Sequence, residues 1–234
     1  MSEVPSNPEA APSIVPIPDE VVSSFIDGAI GPAGAERVYT RYYERPVQLP
    51  GIPGDSRLIL VYEKNSGSET LSFNYVNVPP GGQGEKYIAS MILNVQNRKA
   101  FTLPHRKAEG QRGQGLGTAL LRQAENWIEQ VATRRKHPIS LSVETSQYDV
   151  IKWLTKLGYE PTEESRELYN DLMANIDNSD RYIVDTGQGD HRQLPLSIFA
   201  LSPEGVRNAM PIRLTMVQTF VPSAATETSP SEVR

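Results

Sequence analysis

The chain has 234 residues, of which 38% are hydrophobic and 22% charged, enough apolar content for one large domain with tails and too much for a wholly disordered chain. Its 23 basic and 28 acidic side chains give a net charge of 23 − 28 = −5, so no basic excess draws it to nucleic acid or anionic lipid, and neither is expected as a partner. No cysteine occurs, which excludes disulfides, thiolate metal sites and a cysteine nucleophile together.

The start has no basic cluster followed by an apolar stretch, and nowhere do about 18 apolar residues run together, so a cytoplasmic protein is expected. Pro5, Pro8, Pro12, Pro16 and Pro18 stand among Ser, Glu and Ala, a composition that cannot repay chain ordering, and residues 1–18 are read as a disordered arm. Residues 222–234, rich in Ser, Thr, Glu and Ala without periodicity, are read as a disordered tail. One folded domain is expected over 19–221.

Asp19 is placed to cap a short helix carrying Val22, Phe25 and Ile26, which ends in the breakers from Gly28 to Gly34. Residues 57–62 and 71–76 flank Asn65-Ser66-Gly67-Ser68 and predict a hairpin. Residues 87–95 and 100–103 are two further strands, and either can be the one that leads into the glycine loop that follows. Leu116, Leu120, Leu121, Ala124, Trp127, Ile128 and Val131 recur at helical spacing, and Pro138 stops that helix. Residues 139–143 alternate as a half-buried strand, after which Val150, Ile151, Leu154 and Leu157 mark a short helix ended by Gly158. Thr162 is placed to cap one more helix, and residues 198–201 and 212–221 read as closing strands. The fold class is mixed α/β.

The chemistry lies in Gly110-Gln111-Arg112-Gly113-Gln114-Gly115-Leu116-Gly117-Thr118, between a strand and the long helix. Glycines let backbone amides approach a bound group, and a helix's first turn offers unpaired N–H groups and a positive dipole end, so the loop suits an anion such as a phosphate. Arg112 adds a cation, and Gln111, Gln114 and Thr118 add donors. A nucleotide-hydrolysing loop would need Gly-Lys-Ser or Gly-Lys-Thr, and no lysine stands here. A dinucleotide loop would need GxGxxG, and Thr118 or Leu120 occupies its last position.

The segment Arg112-Gly113-Gln114-Gly115-Leu116-Gly117, with Leu120-Leu121 behind it, instead resembles the acetyl-coenzyme A loop of the GNAT superfamily of N-acetyltransferases. Lys156-Leu157-Gly158-Tyr159 is similar to the end of that family's second helix, and the resemblance covers residues 56–160. It implies the GNAT fold, a central, mostly antiparallel sheet flanked by helices. It also implies acetyl-CoA as cosubstrate, held by Gln111, Arg112, Gly113, Gln114, Gly115, Leu116, Gly117, Thr118 and Gln147. Direct attack by an amine on the thioester needs a carbonyl donor, a base and an acid, and no metal. The resemblance puts Glu144 at the base position and leaves Tyr148 as the candidate acid, with Tyr159 behind it, because Leu154 stands where many members carry the thiolate-protonating tyrosine. His105 is a rival base, His137 caps a helix dipole, and His191 lies in a polar loop; the three have no metal-ligand spacing. Lys99, Arg106 and Lys107 make the approach to the loop basic. Arg134-Arg135-Lys136 fit the dipole of a helix's last turn, and Glu160, Glu163, Glu164, Glu167 and Asp171 form a solvated acidic face. The acceptor is an amine on a small molecule or a protein, a homodimer would be ordinary for the superfamily, and the other function consistent with Leu154 is a CoA-binding sensor without efficient transfer.

Overall fold

Asn65 closes the hairpin from which the sheet grows, its Oδ1 accepting the backbone N–H groups of Gly67 at 3.1 Å and Ser68 at 2.8 Å. The computed structural model describes residues 12–31, 34–49, 51–82, 84–94, 99–105, 115–145, 148–174, 184–185, 192–193 and 214–222, with the backbone alone for 99–105, 148–149, 184–185 and 192–193. They fall into two compact units, one spanning Met1–Arg98, Pro104–Ile139 and Thr219–Arg234, the other Lys99–Leu103 and Ser140–Gln218.

In the first unit, β1 (Val38–Val47), β2 (Asp55–Asn65), β3 (Ser68–Val78) and β4 (Lys86–Asn94) form an antiparallel meander in that order. β2 and β3 pair without a break from Asp55↔Val78 to Asn65↔Ser68. β1 was absent from the sequence reading because its alternation is interrupted. The register passes from Arg41↔Val61 to Tyr43↔Leu60, so Tyr42 is an extra residue and every side chain after it changes face. Pro46 lies on β1, an edge strand of the sheet, which is where strand prolines are tolerated. Ile59, Val61 and Val76 form a buried cluster on one face of the meander, while Leu58, Leu60, Phe73 and Tyr75 on the other face are also fully buried. That two-sided burial is why Leu58–Tyr62 reads as a continuous apolar run rather than an alternating one.

The helix α2 (Leu116–Arg135) packs on β3 and β4. Its buried stripe holds Leu116, Leu120, Leu121, Ala124, Trp127, Ile128 and Val131, the periodic set visible in the sequence. Trp127 is the hub: its ring meets Phe25 at 5.2 Å, Phe73 at 6.3 Å and Tyr42 at 6.4 Å between centroids, all edge-on. α2 ends in a Schellman arrangement, with His137 N–H donating to the Ala132 carbonyl and Lys136 N–H to that of Thr133. Lys136 sits in the left-handed region at φ 53°, where most helices place glycine. Lys136→Gly is therefore expected to stabilise the fold by about 1 kcal/mol, read as a raised urea midpoint.

α1 (Asp19–Ile26) starts one residue after Pro18, and Asp19 makes no side-chain cap; its carboxylate pairs with Arg134 at 3.0 Å instead. The expected arm also ends early. Val15 and Ile17 are 8% and 4% exposed, so residues 12–18 belong to the packed structure.

The second unit orders its strands β5-β6-β10-β7. β5 (Lys99–His105) and β6 (Ile139–Thr145) are parallel, registered from Lys99↔Ser140 to Phe101↔Ser142; β7 (Glu160–Pro161) pairs antiparallel with β10 (Leu214–Phe220). Both strand candidates before the glycine loop are therefore real, as β4 and β5, and β5 is the one that leads into it. α3 (Tyr148–Lys156) is followed by α4 (Glu163–Ala174), and β8 (Val184–Asp185) with β9 (Arg192–Gln193) makes a small hairpin whose β9 lies beside α3. Thr162 does not cap α4 through its side chain, since its buried hydroxyl has no hydrogen bond; Ser165 N–H closes the turn on the Thr162 carbonyl at 3.0 Å. The strand expected at 198–201 lies outside the described residues.

Burial pushes the Tyr62 and Tyr75 phenols up to about 12, in Tyr62 with help from the Glu69 carboxylate that accepts its hydrogen bond at 2.9 Å; Tyr42 is raised also, by burial. Folding favours the neutral phenols, so this stability is complete below pH ~10 and is lost as pH rises from ~10 towards 12. A spectrophotometric titration is expected to show these tyrosines ionising after the exposed ones, together with loss of the far-ultraviolet signal. Ionisation of all tyrosines near pH 10 in folded protein would contradict their burial.

Candidate functional site

Gly115 opens α2 from the left-handed region, at φ 71°, and its carbonyl accepts the Ala119 N–H at 2.9 Å. A side chain is disfavoured at that φ, so the chain's sharp entry into the helix explains a glycine here. Gly115, the N-cap, has no side chain with which to cap α2, and the helix's first turn holds no acidic residue. α1 and α4, by contrast, begin with Asp19-Glu20 and Glu163-Glu164. The first-turn amides of Leu116 and Gly117 have no carbonyl to meet within the helix. Leu116, 1% exposed, anchors this turn in the core, while Gly117 and Thr118 are half-buried. The arrangement suits an anion at the start of α2. Of the predicted loop, Gly115, Leu116, Gly117 and Thr118 are thus seen at this helix start, and Gln111, Arg112, Gly113 and Gln114 lie outside the described residues.

In the second unit, alternation along β6 buries Leu141, Val143 and Thr145 and turns Glu144 to the exposed side near the strand's end. Tyr148 is the first residue of α3; its side chain, like Gln147, lies outside the described residues. Leu154 is fully buried and acts as core. The Lys156–Tyr159 signature has a structural account of its own. Gly158 has φ 92°, its N–H donates to the Thr155 carbonyl at 3.1 Å, and Tyr159 N–H donates to that of Leu154 at 3.1 Å. This is a Schellman stop in which the buried Tyr159 and Leu154 occupy the apolar positions that accompany the motif. Tyr159, 2% exposed, is a core residue.

His105 ends β5, His137 belongs to the α2 stop, and His191 lies outside the described residues. Among the described residues no group of three or more His, Asp or Glu is placed to hold a metal ion, and no helix is long and apolar enough to cross a membrane. Arg134, expected to serve the dipole alone, also donates to Ser23 Oγ at 2.8 Å beside its ion pair with Asp19. The acidic residues 160, 163, 164 and 167 are exposed, as a solvated face requires.

No curated protein matches the chain. Among solved structures, a crystal structure of nourseothricin acetyltransferase is similar at 14% identity and a TM-score of 0.30, covering 83% of this chain and 92% of that one. The profile of the acetyltransferase (GNAT) family matches residues 75–159, a span that runs from β3 through the glycine loop, α2, β6 and α3 to the turn at Gly158-Tyr159. Over residues 75–159 the chain is thus similar to the GNAT family of acetyltransferases.

Proposed function

We propose that this chain is an N-acetyltransferase that moves the acetyl group of acetyl-CoA to a primary amine, on a small molecule or a protein, by direct attack. The observation that carries this is the acid-free start of α2 behind a left-handed Gly115, inside the span that matches an acetyltransferase family. Residues 111–118 take the coenzyme's pyrophosphate, with Arg112 as the counter-charge and Gln147 as a further donor to the coenzyme. The amine nitrogen bonds to the thioester carbonyl carbon, the C–S bond breaks, and the Glu144 carboxylate takes the proton the nitrogen loses. Tyr148 protonates the departing thiolate; coenzyme A is a tolerable leaving group, so water can serve when that phenol is absent. The reaction is placed in the cytoplasm.

An assay of free thiol released from acetyl-CoA over a panel of amines, comprising peptide N-termini, lysine, polyamines and aminoglycosides, tests this reading. Turnover with at least one class is expected. Acetyl-CoA binding with no thiol release from any amine would replace the enzyme reading by the sensor reading, for which buried Leu154 at the usual acid position would then be the reason.

A further inference from the structure

Gln123 is 0% exposed, in the middle of a helix, yet both ends of its amide are hydrogen-bonded. Its Oε1 accepts the Val15 N–H at 2.9 Å and its Nε2 donates to the Val15 carbonyl at 2.8 Å. A buried amide without partners costs free energy comparable to lost hydrogen bonds, and both partners here come from one residue of a segment 108 positions away. The same segment touches α2 twice more, through Asp19 and Ser23 to Arg134 and through Phe25 to Trp127. Positions 123, 127 and 134 fall within about 40° of one another on a helical wheel, so residues 15–25 run along a single stripe of α2. Tyr43 Oη, donating to the Pro16 carbonyl at 3.2 Å, ties the segment to β1 as well.

We propose that residues 15–25 are a clamp on α2, with Gln123 as its positioning residue, and that the clamp fixes the two turns separating Gln123 from Gly115 and thereby the helix start at which the coenzyme binds. The last step rests on the function proposed above; the clamp itself does not. Linkage makes the effect mutual: a ligand held at the start of α2 must tighten the hold on Val15 by the factor that the clamp adds to its own affinity.

The test is hydrogen exchange on the full-length protein, comparing the parent with Gln123→Met, which keeps volume and removes both hydrogen bonds, and with Arg134→Ala at the exposed end of the clamp. The Val15 amide is expected to lose protection in Gln123→Met. The amides of Ala119, Leu120 and Leu121 should then exchange roughly ten-fold faster in Gln123→Met, and faster also in Arg134→Ala, with β2 and β3 unchanged. Acetyl-CoA affinity should fall by a similar factor, and acetyl-CoA should slow exchange at Val15 in the parent. Parent-like exchange at residues 119–121 with Val15 released would overturn the clamp. If Gln123→Met also loosens β2 and β3, the Arg134→Ala result at residues 119–121 decides in the same way. A parent that gives no acetyl-CoA binding, but whose residues 119–121 respond to the variants, removes the coenzyme reading and leaves the clamp standing.

Discussion

Trp127→Ala is expected to destabilise the protein by about 3–5 kcal/mol, the largest single effect on the fold. The indole is 2% exposed and meets rings from α1, β1 and β3, so its removal opens a cavity lined by three elements that cannot all collapse into it. In a chain of this length each 1 kcal/mol moves the midpoint by roughly 2–4 °C, so thermal unfolding should fall by about 6–20 °C. Urea titration is the cleaner measurement, since an unchanged slope with a lowered midpoint reports stability alone. A loss below ~1 kcal/mol would show that Trp127 is not the hub described here.

Glu144→Gln is expected to have the largest effect on activity, lowering kcat by about 10²-fold or more with little change in KM for acetyl-CoA. The substitution keeps the shape of a side chain that faces away from the buried row Leu141, Val143 and Thr145, so the packing of β6 should be unaffected. A base role adds a diagnostic: at higher pH, where more of the acceptor amine is already neutral, the defect should shrink. Equal loss at every pH, or loss confined to KM, would assign Glu144 to binding or to structure.

How much was legible in the sequence follows from how local each signal is. α2 could be read because its apolar stripe repeats every three or four residues without interruption, and the β2–β3 hairpin because Asn65-Ser66-Gly67-Ser68 supplies its own turn chemistry. β1 escaped because Tyr42 is a bulge, which breaks period two at the middle of the strand. The caps assigned to Asp19 and Thr162 failed for a related reason. A capping residue type is visible in sequence, but Asp19 is drawn to Arg134, more than a hundred residues away, and a backbone bond already closes the α4 turn at Thr162. Gln123 was passed over for lack of any local reason to bury an amide; its partner at Val15 lies in a proline-rich stretch whose composition suggested an arm. The one sequence clue was a glutamine on the stripe that also carries Trp127, beside the leucines and alanines of α2. The start of α2 was legible from its glycines, since left-handed Gly115 and the acid-free first turn are properties of residue type. Leu154 was legible as a departure, and its complete burial explains why the position holds a leucine.

The central claim is that the loop before α2 binds the coenzyme, and calorimetric titration with acetyl-CoA and free coenzyme A tests it most directly when the parent is run beside Arg112→Glu. The account predicts binding in the micromolar range, about −8 kcal/mol, that the charge reversal abolishes while the thermal midpoint stays in place. No heat from folded parent protein, or equal affinity in Arg112→Glu, would contradict it and leave the glycines as an entry into a helix.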